Sequence, residues 1–160
     1  MTDIIVDATC RVSFTIALAV LAAPTTTELN AGILLQSLLT PDGLVGFQLT
    51  SGDVPTGSLA SKFSTVRPGR DTATGAMLRL KKQLTGDAAY TALRTKNTTG
   101  FIVIRYFVAE TTAWAAADQV EVWTIETGRR RVLPPAENEV AKYEIDVKFT
   151  AEPVLDAVVA

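Results

Sequence analysis

The sequence predicts a mainly β fold, an antiparallel β-sandwich with one α-helix packed at its side, and three observations carry that expectation. Along Lys142 to Thr150, Tyr143, Ile145, Val147 and Phe149 alternate with Glu144, Asp146, Lys148 and Thr150, which is the period of a half-buried strand. Phe101–Phe107 and Gln119–Thr127 repeat the pattern. One segment alone has clear helical spacing: Ala89, Tyr90, Leu93 and Arg94 share a face, with Asp87 placed to cap the first turn.

The remaining elements follow in order. Residues 9 to 20 read as a first strand, in which Val12, Phe14 and Ile16 alternate with Ser13 and Thr15. Pro24 breaks it, and a threonine ahead of Glu28-Leu29-Asn30 marks a short capped helical turn. Ile33–Leu39 returns to strand character, and Thr40-Pro41-Asp42-Gly43 has the chemistry of a turn. A short strand near Phe47–Thr50 lies inside a Gly-, Ser- and Thr-rich extended loop, 44–57, of a length that is usually functional. Ser58–Val66 reads as a strand, Pro68-Gly69 as a turn, and Thr72–Lys82 as the returning strand with Ala76, Leu78 and Leu80 inward. Asn97 and Gly100 are suited to ending the helix, and Thr111–Asp118 fits either a helical turn or a bulge. Past Thr150, Pro153 stops the ladder. Val154, Leu155, Val158 and Val159 then form an apolar arm with no strand partner, which calls for another surface, such as that of a second chain.

Length and composition fit a single domain over 1–160, with an N-terminal segment 1–8, the loop 44–57 and a C-terminal arm 152–160. A domain of 160 residues buries roughly 70% of its unfolded surface, enough to stand without disulfides or metals. The 48% hydrophobic content and mean hydropathy of +0.24 exclude a disordered chain. There is no histidine, and Cys10 is the lone cysteine. The commonest general base and metal ligand are therefore missing, so neither an enzyme nor a cofactor is expected. A net charge of −2 with thinly spread Lys and Arg gives no basic stripe for nucleic acid. The apolar run Phe14–Ala23 is about half the roughly 20 residues of a spanning helix, and Asp3 and Asp7 before it are wrong for a secretory leader.

A series of segments resembles the major tail tube protein of long-tailed, siphovirus-type phages of actinobacteria. They are Glu28-Leu29-Asn30-Ala31-Gly32, Leu39 to Leu44, Thr99 to Arg105, Ala115 to Trp123, and Pro134 to Glu139 followed by Lys142 to Pro153 and Ala157 to Ala160. The likeness spans nearly the whole chain and is weakest between Leu59 and Thr85. It implies hexameric rings whose inner sheets join into one barrel, stacked into a hollow conduit for genome delivery. The implied partners are further copies of the chain, a tape measure protein, a tail terminator and tail-tip proteins, with DNA only in transit and no membrane span. The implied place is the virion tail, assembled in the host cytoplasm. The alternatives are another β-sandwich virion protein, such as a decoration, adhesion or related injection-tube component, or a monomeric binding module.

Residue expectations follow from that picture. Pro41, Asp42, Phe47, Asp53, Val154, Leu155, Val158 and Val159 are candidate subunit-interface residues. Arg129, Arg130 and Arg131, between Gly128 and Pro134-Pro135, read as a loop that is either solvated or paired across rings with acids such as Asp42, Asp53 or Glu152. Glu121, Glu144 and Asp146 are candidates for the lumen wall, where a neutral-to-acidic surface avoids holding DNA phosphates. Glu144 and Asp146 also share a strand face as catalytic carboxylate pairs do, but no nucleophile or ligand set accompanies them. Trp114 and Trp123 read as core or interface aromatics.

Overall fold

A computed structural model describes residue 4 and residues 6–160; most of the N-terminal segment 1–8 that precedes Val6 lies outside the described residues. Ten strands and two short helices run β1 (Cys10–Thr15), α1 (Thr26–Ala31), β2 (Ile33–Leu34), β3 (Leu39–Val45), β4 (Thr50–Pro55), β5 (Val66–Thr72), β6 (Met77–Lys81), α2 (Ala88–Leu93), β7 (Thr99–Tyr106), β8 (Gln119–Val132), β9 (Lys142–Phe149) and β10 (Val154–Val158). Every pairing is antiparallel.

The main sheet has the order β2-β1-β7-β8-β9-β6-β3, with β10 beside β8. Its two ends are consecutive in sequence, since only residues 35–38 separate β2 from β3. That link bonds to both sides of the seam: Leu35 N–H donates to the Val12 carbonyl at 2.8 Å, and Lys81 N–H donates to the Leu38 carbonyl at 2.8 Å. The sheet therefore closes on itself, and its opposed halves face each other across one core. Val12 and Phe14 of β1, Leu78 and Leu80 of β6, Ile102 and Ile104 of β7, Trp123 and Ile125 of β8, and Tyr143, Ile145 and Val147 of β9 all belong to that core. The alternation read in β9 and β6 is thus the inward face.

Both helices are capped as their sequences direct. Asp87 accepts from Tyr90 N–H at 3.0 Å, and Ala89 and Leu93 of α2 enter the main core. Thr25 and Glu28 form a reciprocal capping box on α1, which sends Leu29 into a second core on the opposite face of β7 and β8. Val103, Trp114, Val120, Val122, Ala157 and Val159 complete that second core. Gly100 belongs to β7 rather than to a helix end; a Cβ there would drive into the Phe14 ring of β1.

Several strand expectations shift. β1 ends at Thr15, because the chain beyond it turns to cover β10: the Ala22 carbonyl accepts from Val158 N–H and the Pro24 carbonyl from Ala160 N–H, each at 3.0 Å. Pro41-Asp42-Gly43 is not a free turn but a bulge within β3, where the register on β6 shifts between Leu39 and Leu44. The extended loop 44–57 holds the end of β3 and all of β4, and Pro68-Gly69 lies inside β5. The alternating stretch Ser58–Val66 is the tip joining β4 to β5 rather than a strand. Arg94 is the C-cap of α2, with Asn97 in a left-handed conformation (φ 65°) just past it.

The apolar tail is a strand after all. β9 pairs with β8 up to Phe149 opposite Ile125, and β10 resumes on the same edge with Val154 opposite Val122. Four residues, 150–153, lie opposite two, 123–124, so Pro153 sits in a bulge and the chain continues along β8. Ala157 and Val159 are fully buried. Truncation after Ala151 is therefore expected to destabilise the isolated chain, and Leu29→Ala in the same core to cost about 2–5 kcal/mol. Urea unfolding of the dilute protein reads both; an unchanged midpoint for the truncation would return the tail to a purely intermolecular role.

Candidate assembly surfaces

A closed sheet has few open edges, and this one spends them carefully. β3 carries Pro41 and a bulge on its outer side, and β10 is covered by residues 20–24. Both devices discourage indiscriminate strand pairing. The exception is the β4–β5 hairpin. Every residue from Thr50 to Thr72 except Gly69 is exposed, including Val54, Leu59, Phe63 and Val66. Its ladder runs past the strands to Thr56 N–H, which donates to the Thr65 carbonyl at 2.8 Å, and the Thr56 and Thr65 hydroxyls meet at 2.9 Å. Near the base Ser51 bonds to Asp71. A two-stranded hairpin is marginal in water without a third strand or a packed face. Among the described residues this one has neither.

The interface residues named from sequence separate into two groups. Val159 is buried, Val154 packs partly against the second core, and Phe47 stacks edge-on against Trp123 and Phe149 at 5.6 and 5.4 Å. These three pack against the chain's own cores. Asp42 is engaged at home by Arg79 at 2.5 Å; the Thr40 hydroxyl and then Arg79 hold its carboxyl below the usual range. Pro41, Asp53, Leu155 and Val158 stand exposed.

The arginine run is likewise redistributed. Gly128-Arg129-Arg130-Arg131 continues β8 instead of forming a loop, with a one-residue bulge between Thr127 and Arg130. Arg130 lies over the Tyr90 ring at 5.1 Å, and Arg131 reaches Glu144 at 3.6 Å. Among the described residues Arg129 makes no ion pair.

The three acids also occupy different places. Glu144 is buried between Arg79 (2.5 Å) and Arg131, so Asp42, Arg79, Glu144 and Arg131 form a row of alternating charge across β3, β6, β9 and β8. Asp146 pairs with Lys148 at 3.1 Å on the same outer face. Glu121 does not join them. It shares the inward side of β8 with Trp123, whose indole N–H donates to it at 3.0 Å, near Cys10, Tyr106 and Asp156. Burial first, and then Asp156, raises the Glu121 pKa; burial and then Glu121 raise that of the Cys10 thiol.

One arrangement gave no sequence signal. Arg105 is buried and donates to Asp118 (2.6 Å) and to the carbonyls of Ala109, Thr112 and Ala113, while Arg11 donates to those of Glu110 and Thr112. Both guanidinium groups lie 5.2 Å from the Trp114 ring centre. Together they fix the loop from Phe107 to Asp118, whose ends take left-handed conformations at Phe107 and Ala117. Phe107 is thereby held on the surface beside Leu155.

A closed β domain with internally paired charges and a long unsupported hairpin defines a structural building block. Comparison with known proteins says which kind. The chain belongs to the phage tail tube protein family, whose model matches residues 1–160. It is thus a tail-tube-like structural protein, a component of a virion tail, in a family of structural rather than catalytic proteins. Its fold is similar to a chain in the cryo-EM structure of the sheath/tube terminator of an extracellular contractile injection system, PVC, in the extended state, with TM-score 0.63 and 12% identity over 96% of this chain and 97% of that one. It is also similar to a chain of the anti-feeding prophage (AFP) baseplate, with TM-score 0.58 and 10% identity over 96% and 97%. Among curated protein sequences none matches.

The Glu121 environment makes a pH prediction. Its raised pKa means that the folded chain binds a proton more tightly than the unfolded one, so this group's contribution favours folding below its ordinary value of 4.5 and is lost as pH rises through the higher folded value. Glu121→Gln should therefore gain stability relative to the parent chain at pH 7.5 but not at pH 4. Urea midpoints for both chains at the two pH values test this, and a pH-independent difference would refute it.

Proposed function

We propose that copies of this chain form hexameric rings that stack head to tail into a hollow tail tube through which the genome passes. The observation that carries this reading is the β4–β5 hairpin, an exposed arm with no further strand partner among the described residues. Burying Val54, Leu59, Phe63 and Val66 on a neighbour supplies roughly 1.5–3 kcal/mol per side chain as an upper limit. Part of that offsets the freedom lost on association. A heterologous contact of this kind closes into rings in one direction and extends into a filament in the other.

Further surfaces fit the same reading. Pro41, Asp53, Leu155, Val158 and the Phe107 beside Leu155 offer exposed contact points on the body. Arg129 is a cation available to a neighbouring acid such as Asp53 or Glu152. The outer face of β3, β6, β9 and β8 is our candidate for the lumen wall. Its ions neutralise one another within the chain, which leaves little net positive charge to retain DNA phosphates. A tape measure protein inside the tube, a terminator at one end and tip proteins at the other complete the proposed partners, with assembly in the host cytoplasm.

Replacing residues 56–65 by a two-residue Asn-Gly turn separates folding from assembly. The shortened chain should unfold at nearly the same urea concentration as the parent. Under negative-stain electron microscopy it should give no tubes where the parent gives hollow, six-fold particles. Tubes formed equally well by both chains would overturn the role of the arm, and a parent that stays monomeric at all concentrations and with tail-tip proteins added would overturn the tube.

A further inference from the structure

We infer that the surface around Tyr90, where α2 meets the C-terminal part of β8, binds the phosphate backbone of nucleic acid without regard to sequence. The inference concerns the single chain and goes beyond the tube reading. Cations that look thinly spread along the sequence are brought together here by the fold. Lys82 lies over the Tyr90 ring at 4.3 Å, Arg130 at 5.1 Å and Arg94 at 5.8 Å. Lys96 and Arg129 stand beside them. Asn97 N–H donates to the Thr127 carbonyl at 2.8 Å, and the Thr127 hydroxyl donates to the Thr95 carbonyl at 2.6 Å, which holds the end of α2 against the start of the arginine run. Arg94, Lys96, Arg129 and Arg130 are all exposed.

Local structure fixes the cluster. The bulge between Thr127 and Arg130 sets Arg130 opposite Ile145, on the side of the ladder that faces the main core and α2. Without the bulge Arg129 would take that place and Arg130 would point outward. Tyr90 is itself held edge-on against Tyr143, with ring centres 5.1 Å apart. A guanidinium stacked on a ring keeps its in-plane N–H donors, and those donors match the oxygens of a phosphate group. The charge is not neutralised within the chain. Among the described residues Arg94, Lys96, Arg129 and Arg130 form no ion pair. The acids around them are engaged by other cations: Asp87 by Lys82, Glu144 by Arg79 and Arg131, and Asp146 by Lys148. Glu126 stands opposite Lys148 in the ladder.

Two considerations select a phosphate backbone over an acidic peptide. A DNA duplex carries roughly one negative charge per 1.7 Å of its axis, so a rigid partner meets several of these cations at once. A flexible acidic segment loses conformational freedom to do the same. The Tyr90 ring is already engaged by three cations and by Tyr143, so bases do not stack on it and contact is with the backbone alone. Four such contacts make affinity fall roughly a hundredfold between about 50 and 200 mM salt. A surface of that strength steers DNA without retaining it, which is compatible with a conduit.

Anisotropy of a short fluorescein-labelled DNA duplex, titrated with the dilute, unassembled chain at several salt concentrations, tests the site. Binding at low salt is expected, with a log–log salt slope of about −3.6 and equal affinity for two duplexes of unrelated sequence. Arg94→Gln with Arg130→Gln should bring the slope to about −1.8 without moving the urea midpoint, since both side chains are exposed. Lys62→Gln with Arg67→Gln removes the same charge from the β4–β5 arm and should leave the slope at the parent's value. No binding by the parent at low salt would overturn the inference. So would an unchanged slope in the Arg94 and Arg130 variant, or the same loss in the arm variant. Tighter binding of a polyglutamate peptide of matched charge would also overturn it, by making the surface a dock for an acidic protein. The chain is read unassembled, so each of these outcomes leaves the tube reading where it stands.

Discussion

Closure of the main sheet through Leu35–Leu38 is the constraint on which the rest of the molecule depends. Four residues join the first and last strands of the sheet, and Leu35 is buried where they do so. Once β1 and β6 are bonded to this link, strands distant in sequence share one core, and the edges an open sheet would expose are reduced to a short seam. On the proposed reading, assembly rests on features added to the closed body. The β4–β5 arm is the largest of these. The body is stabilised by its own packing, whereas both faces of the arm are exposed.

The cationic side chains follow the same separation. Arg105 and Arg11 organise the Phe107–Asp118 loop from beneath, stacked against Trp114, and leave Phe107 outside. Arg79 and Arg131 hold Glu144 on the outer face of the sheet. Exposed ion pairs contribute little stability individually. The alternating row across four strands cancels charge on a broad surface from within the chain.

Much of this was legible in the sequence where local chemistry and tertiary packing agree. The alternation of Tyr143 to Phe149 marked β9, and Asp87 and the Thr25–Glu28 box marked both helix starts. The misreadings have a common cause, which is that bulges and prolines do not end a strand when a long partner lies alongside. Pro41, Pro68 and Pro153 each sit within or beside a ladder that continues past them. Gly128 and three arginines looked like a loop because nothing local shows that β9 extends far enough to pair with them. In the opposite sense, Leu59, Ser61, Phe63 and Thr65 alternate like a strand, yet all four are exposed, with neither side buried by the described residues. The Arg11–Trp114–Arg105 stack was invisible because its members meet only when β1, β7 and the following loop converge.

Hydrogen exchange, followed strand by strand in the dilute chain and in assembled material, tests the central claim most directly. If the body is self-sufficient and the arm depends on neighbours, β9 and β10 amides are protected in both states. Those of β4, β5 and the 56–65 tip then exchange rapidly in the monomer and become slow only on assembly. Slow exchange of the arm in the monomer, or protection of β10 that appears only on assembly, would contradict the account.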